Sequence, residues 1–192
     1  MAETGLRERA KARRREAIIH AAYQLFAERG YEATTVADIA EAAEVAPRTV
    51  ALYFPAKQDI ALSRFSDAAA ELSHDLRERP SGETLPATVG RWLRSRDARP
   101  DEVALRELAR RMFEANPELR ALRTARMAAA IEEGAKIISS ETGDGPGAPG
   151  PRIAAVAAAA IVDELAFAPP GPDRERAITT AVRFLEAGIG AL

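Results

Sequence analysis

Apolar positions recur at helical spacing along almost the whole chain. Ile18, Ala22, Leu25 and Phe26 make one stripe, which predicts a first helix over 8–29. It ends at "ERGYEATT", where Gly30 suits a left-handed cap. "TTVADIAEAA" (34–43) opens a second helix, with Thr35 as N-cap, Asp38 at the capping-box position, and Val36, Ile39, Ala40 and Ala43 facing inward. After the break "EVAP" a short helix is expected over 47–53, with Pro47 in its first turn. Pro55 interrupts the pattern, and a longer helix follows over 57–78 with Ile60, Leu62, Phe65, Ala69, Leu72 and Leu76. Beyond the loop "RPSGETLP" (79–86), helices are predicted near 86–96, 101–115, 117–141, 152–168 and 173–190. Their breakers are "ARP" (98–100), "NP" (116–117), the Gly/Pro run at 143–151 and "PPGP" (169–172). No β-branched alternation appears. The reading is all-α, about nine helices. The loop at 79–86 is the expected boundary between two parts.

Composition narrows the function classes. The chain is 47% hydrophobic and 29% charged, so it can bury a core and remain soluble. Its longest apolar stretch, "AAVAAAAIV" (154–162), is too short to span a bilayer, and no apolar run follows the N-terminal basic residues. A cytoplasmic protein without a membrane segment is expected. The absence of cysteine excludes disulfides and thiolate metal sites. There is no Gly-rich phosphate loop, and His20 and His74 lack metal-ligand spacing. No enzyme chemistry, metal or cofactor is expected. Net charge is −2, yet residues 7–15 hold Arg7, Arg9, Lys11, Arg13, Arg14 and Arg15 against Glu8 alone. Such an arm suits nucleic acid or a membrane surface, or is a solvated helix start.

Helix, break and short helix within 35–54 have the layout of a helix-turn-helix. A recognition helix enters a major groove about 12 Å wide, so its outer face needs small or hydrogen-bonding groups. Arg48 and Thr49 offer donors to base edges, and Ala51 and Leu52 suit thymine methyls. Val50 and Phe54, four apart, face the core. Tyr53 and Lys57 are placed for phosphates, with Thr35 and its N–H for a third, and Arg13 and Arg14 in the arm. Each of these residues alone is more often structural; the ordered set carries the reading.

That set has a family likeness. "TTVADIAEAAEVAPRTVALYFPAKQDI" (34–60) resembles the DNA-binding signature of the TetR family of transcriptional repressors. "REAIIHAAYQLFAERGYEATT" (15–35) is similar to that family's first helix and its "F-x-x-x-G-[YF]-x-x-[TS]" lead-in. Together they cover about residues 13–62. The resemblance implies an all-helical homodimer whose first three helices bind a double-stranded DNA operator. It divides the chain into a DNA-binding domain over 1–56 and a remainder over 57–192 that dimerises and binds a small-molecule effector of unknown identity, which releases a repressor from a palindromic operator. Two departures stand out. The turn position usually held by Gly is Glu44, and the aromatic common at the exposed middle of the recognition helix is replaced by Ala51 and Leu52. Residues 111–143 resemble the C-terminal region of an actinobacterial branch of the family, whose members are linked to acyl-CoA or other lipophilic ligands.

In the second domain Trp92, Met112, Phe113 and Met127 are large groups on helices expected to surround a pocket, and Arg106 and Arg110 suit an anionic ligand. The alternatives are ordinary core for Trp92 and Phe113 and, for the two arginines, a solvated face paired with glutamates. Ile178, Val182, Leu185 and Ile189 step along one face of the last helix. With Ile153, Val156, Ala160 and Ile161 of the alanine-rich helix before it, they are expected to form a two-fold four-helix interface. The competing functions are a ligand-independent helix-turn-helix DNA-binding protein and a basic-arm protein of the membrane surface.

Overall fold

Alanine, leucine, arginine and glutamate dominate the long segments, and these residues lose little freedom in a helix. The computed structural model describes residues 2–97, 100–145 and 147–192, and among them it holds ten α-helices and no strand. In order these are α1 (Ala2–Arg29), α2 (Val36–Ala42), α3 (Pro47–Tyr53), α4 (Lys57–Ala61), α5 (Ser63–Arg77), α6 (Leu85–Asp97), α7 (Pro100–Ala115), α8 (Pro117–Thr142), α9 (Pro149–Ala166) and α10 (Pro172–Ile189). Ala98, Arg99 and Pro146, which fall in breakers read from the sequence, lie outside the described residues.

Two elements differ from expectation. α1 starts at Ala2, because no proline stops the helix between Ala2 and the basic run. The helix expected over 57–78 is two helices, parted at Leu62 with φ −98° and ψ 5°. There the Ser63 hydroxyl donates to the Ile60 carbonyl at 2.8 Å, a local bond that competes with the helix ladder.

The chain forms two compact units. The first runs to Phe65 and takes in Glu107–Arg123. A boundary after residue 56 was expected, but Pro55 ends a helix without ending the unit. Ile60, Ala61 and Leu62 are buried, and α4 packs on α1. Ile18, Ala22 and Phe26 of α1 are fully buried, as are Met112 and Leu119 from the inserted segment.

The second unit comprises Ser66–Arg106 and Thr124–Leu192. Here α6 packs on α9 and α10. Val89, Trp92, Leu93, Leu165, Ile178 and Ala181 form one apolar cluster, and Leu85, Ile137, Ile138, Ala154 and Ala155 another. A Cβ on Gly90 would stand 2.6 Å from Val182 Cγ2, so glycine is what lets α6 and α10 approach. Among the described residues no helix is long and apolar enough to cross a membrane.

Candidate nucleic-acid interface

The site begins with the cap of α2. Thr35 Oγ1 accepts the Asp38 N–H at 3.1 Å, and Asp38 Oδ2 accepts the Thr35 N–H at 2.8 Å, closing a capping box. The Thr35 hydroxyl also donates to Asp38 Oδ2 at 2.6 Å. Bonds from the Thr35 side chain and then its backbone hold the Asp38 carboxyl below the ordinary carboxylate value, and Arg29 adds to this. Thr35 is thus the N-cap expected from the sequence, with its N–H and hydroxyl both engaged by the Asp38 carboxylate.

The turn after α2 is a Schellman motif. The Val45 N–H reaches the Ala40 carbonyl at 2.9 Å, and the Glu44 N–H reaches Glu41 at 3.0 Å. Glu44 sits at the left-handed position with φ +53°, alone among the described non-glycine residues. That conformation costs an L-residue roughly 1–2 kcal/mol, less for glycine, which in turn loses more entropy on folding. Glu44→Gly is therefore expected to raise the unfolding free energy by roughly 0.5–1 kcal/mol, read by urea titration. A loss of stability would show that the turn is unstrained.

The turn delivers α3 with a defined face. Pro47 opens it, needing no N–H partner there. Val50 is 1% and Phe54 6% exposed, and they anchor the helix inward. Arg48, Ala51 and Leu52 point outward, with Leu52 81% exposed, while Thr49 and Tyr53 lie half-buried at the margins. Phe54 turns to extended backbone (φ −138°, ψ 110°), as a residue before proline prefers. One short helix thus presents a guanidinium, a methyl and an isobutyl group together, a set suited to base edges in a major groove.

Residues 18–63 match the model of the bacterial regulatory proteins of the tetR family. The HTH-type transcriptional regulator TcmR of Streptomyces glaucescens is 44% identical over 79 residues, which make up 41% of this chain and 35% of TcmR. The chain therefore matches little more than a third of that relative's length. Over residues 18–63 the chain is thus similar to the tetR family. Solved structures extend the likeness of fold beyond it. GusR of Salmonella enterica superposes with a TM-score of 0.64 at 21% identity, covering 92% of this chain and 95% of GusR. The fatty acid degradation regulator FadR from Bacillus halodurans gives 0.56 at 22% identity, covering 93% and 96%.

The other residues singled out on the tetR-type domain divide. Arg13 and Arg14 are exposed on α1, and the Arg15 guanidinium lies 5.4 Å from the centroid of the Phe54 ring. The basic arm therefore leaves the domain beside the C-terminal end of α3. Lys57 is turned inward. Its Nζ donates to the carbonyls of Tyr31 at 2.6 Å and Thr34 at 3.0 Å, and lies 4.1 Å from the Tyr31 ring centroid. Two of its three N–H groups are thus used within the domain, because α4 begins at Lys57 and brings it under the α1–α2 loop.

The residues expected around a pocket do not fall in one unit. Arg110, Met112 and Phe113 belong to the unit that carries the tetR-type domain, and Trp92, Arg106 and Met127 to the other. Met112 is fully buried, and Trp92 packs in the cluster of α6, α9 and α10. Arg110 is bridged to Glu107 at 2.6 Å and also to Glu114, and Arg106 donates to the Arg96 carbonyl at 3.1 Å. Arg110 is thus on a solvated, ion-paired face.

The interface residues also separate. Ile153, Val156 and Ala160 are exposed on α9, whereas Ile178 and Leu185 are buried within the unit and Ile161, Val182 and Ile189 are half-buried. The stripe on α10 reaches α6 and α9 of its own chain; helical spacing alone does not say which neighbour a stripe meets. The outward apolar side chain of α10 is Phe184, 62% exposed, between exposed Ala177, Thr180, Ala187 and Gly188. Sequence reasoning missed Phe184 and also Asn116, which it used only as half of a breaker.

Proposed function

We propose that the chain is a sequence-specific DNA-binding transcriptional regulator. It works as a homodimer on a palindromic operator, as a repressor that a small lipophilic or anionic effector releases. The observation that carries this reading is α3. Its anchors Val50 and Phe54 are inside and its Arg48, Ala51 and Leu52 outside, on a capped helix-turn-helix of the tetR type. Arg48 reads a base, Ala51 and Leu52 lie against thymine methyls, and the exposed cations of α1 meet phosphates. The outward apolar positions of α9 and α10 support pairing with a second copy. A symmetric dimer presents two copies of α3, which must stand about 34–36 Å apart to enter successive major grooves. The likeness of 111–143 to ligand-binding relatives supports the effector, and a change in that separation is how it acts.

The test is Arg48→Ala on a duplex chosen by the wild-type protein. It is expected to cost about 1–3 kcal/mol and to relax the preference at one base position in each half-site. Equal losses on that duplex and on random DNA would instead make Arg48 a phosphate contact.

A further inference from the structure

We propose that Asn116 is a positioning residue for the DNA-reading helices. Its buried amide clamps the α1–α2 loop from the α7–α8 turn, so that α7 and α8 set the placement of α2 and α3. The inference rests on the DNA-binding reading above.

Asn116 is 2% exposed and lies between α7 and α8. Its Oδ1 accepts the Tyr31 N–H at 2.6 Å. Its Nδ2 donates to the Phe26 carbonyl at 2.9 Å and to the Met112 carbonyl at 2.7 Å. Both amide protons are therefore used, and one side chain closes the C-terminal ends of α1 and α7 together. The backbone of Asn116 is itself held, since its carbonyl accepts the Leu119 N–H at 3.1 Å in the first turn of α8.

The clamped loop is held from its other side as well. The Tyr31 peptide that gives its N–H to Asn116 is followed by the carbonyl that accepts from Lys57. Buried Thr34 donates its hydroxyl to the Gly30 carbonyl at 2.8 Å. The next residue, Thr35, is the N-cap of α2. Only Tyr31 to Thr34 thus separate the amide from the cap of the helix-turn-helix, and both ends of that stretch are hydrogen-bonded in place.

The chemistry of the clamp gives it a directional character. Apolar side chains tolerate sliding, whereas hydrogen bonds weaken steeply with distance and angle. Displacement of the α7–α8 turn breaks the bonds to Tyr31 and Phe26 together, while the bond to Met112 moves with α7; the Tyr31 N–H is left facing a buried gap, and the Phe26 carbonyl keeps only the Gly30 N–H at 3.2 Å. Both helices continue beyond this unit, α7 back to Pro100 and α8 on to Thr142.

The experiment uses the full chain and two variants. Amide hydrogen exchange is measured on the free protein, and affinity is measured on the duplex selected by the wild type. Asn116→Ala is expected to stay folded, to speed exchange at Tyr31 and across α2 at least tenfold, and to weaken the duplex at least tenfold. Exchange in α9 and α10 and the salt slope should stay unchanged, since every cation that meets a phosphate is still present. Asn116→Asp keeps the acceptor for Tyr31 but turns a carboxylate toward two carbonyls. It should show the same defect at about pH 8 and recover part of the protection of α2 near pH 5, as the acid proton restores a donor. This second variant decides the matter if the alanine variant does not fold. Unchanged α2 exchange with only a lower melting temperature would overturn the proposal. A wild-type chain that selects no DNA would defeat the DNA-binding reading, and the exchange data would still decide whether Asn116 holds α2.

Discussion

Replacing Phe184 by glutamate is expected to leave a folded monomer and to lower operator affinity by about two to four orders of magnitude, the range that linking two binding modules provides. The Phe184 side chain stands outside the core of its own unit, whose α10 face is formed by Ile178, Ala181 and Leu185. The substitution therefore spares the fold. Ile153, Val156 and Ala160 on α9 and Phe184 on α10 are exposed apolar side chains that a single chain leaves in water. In a two-fold dimer each such side chain is buried twice, and full burial of a phenylalanine contributes about 1.5–3 kcal/mol. A carboxylate there is desolvated twice instead. Sedimentation and a duplex titration on the same sample measure both effects. A dimeric Phe184→Glu chain with full affinity would place the seam elsewhere.

Neutralising the arm should have an effect of a different kind. The quadruple change Arg9→Gln, Lys11→Gln, Arg13→Gln and Arg14→Gln is expected to weaken selected and random duplexes alike, by about a hundredfold at moderate salt. It should also flatten the salt dependence by about 0.9 in slope for each phosphate that is no longer neutralised. The reason lies in the charge of the module. Residues 28–44 carry Glu28, Glu32, Asp38, Glu41 and Glu44 against Arg29 alone, and Lys57 is engaged with two carbonyls. The helix-turn-helix therefore has little positive charge of its own, and under the proposed function the exposed cations of α1 are expected to supply the attraction to the backbone. Glutamine keeps the helix propensity, so a loss of affinity cannot be ascribed to unwinding. A salt slope equal to that of the wild type would show that the arm does not meet phosphate.

The parts legible in the sequence are those governed by local rules. Pro47 and Pro55 bracket α3, and the Thr35–Asp38 pair announces α2, so both helices lie where spacing and caps put them. The unusual Glu44 is legible too, because the turn needs a left-handed residue whichever side chain it carries. What stays hidden depends on distant partners. Leu62 and Ser63 are both compatible with a continuous helix, and the break between α4 and α5 shows only in the bond from Ser63 to Ile60. The stripe on α10 has a clear period but no label for its neighbour. Lys57 has the place of a phosphate ligand in sequence and is drawn inward by carbonyls 23 and 26 residues away. Asn116 meets backbone groups 85 and 90 residues away, beyond the reach of any periodic pattern. For the same reason, residues that share a helix in sequence, such as Arg106 and Arg110, fall in different compact units.

The measurement that bears most directly on the function is selection of duplexes from a random pool by the purified chain, followed by titration of the enriched sequence at several salt concentrations. Enrichment of a palindrome whose half-site centres lie about one helical turn or a multiple of it apart, bound with a steep salt slope, is the expected outcome. A folded, dimeric chain that enriches no sequence would contradict the assignment of α3 as a reader of DNA.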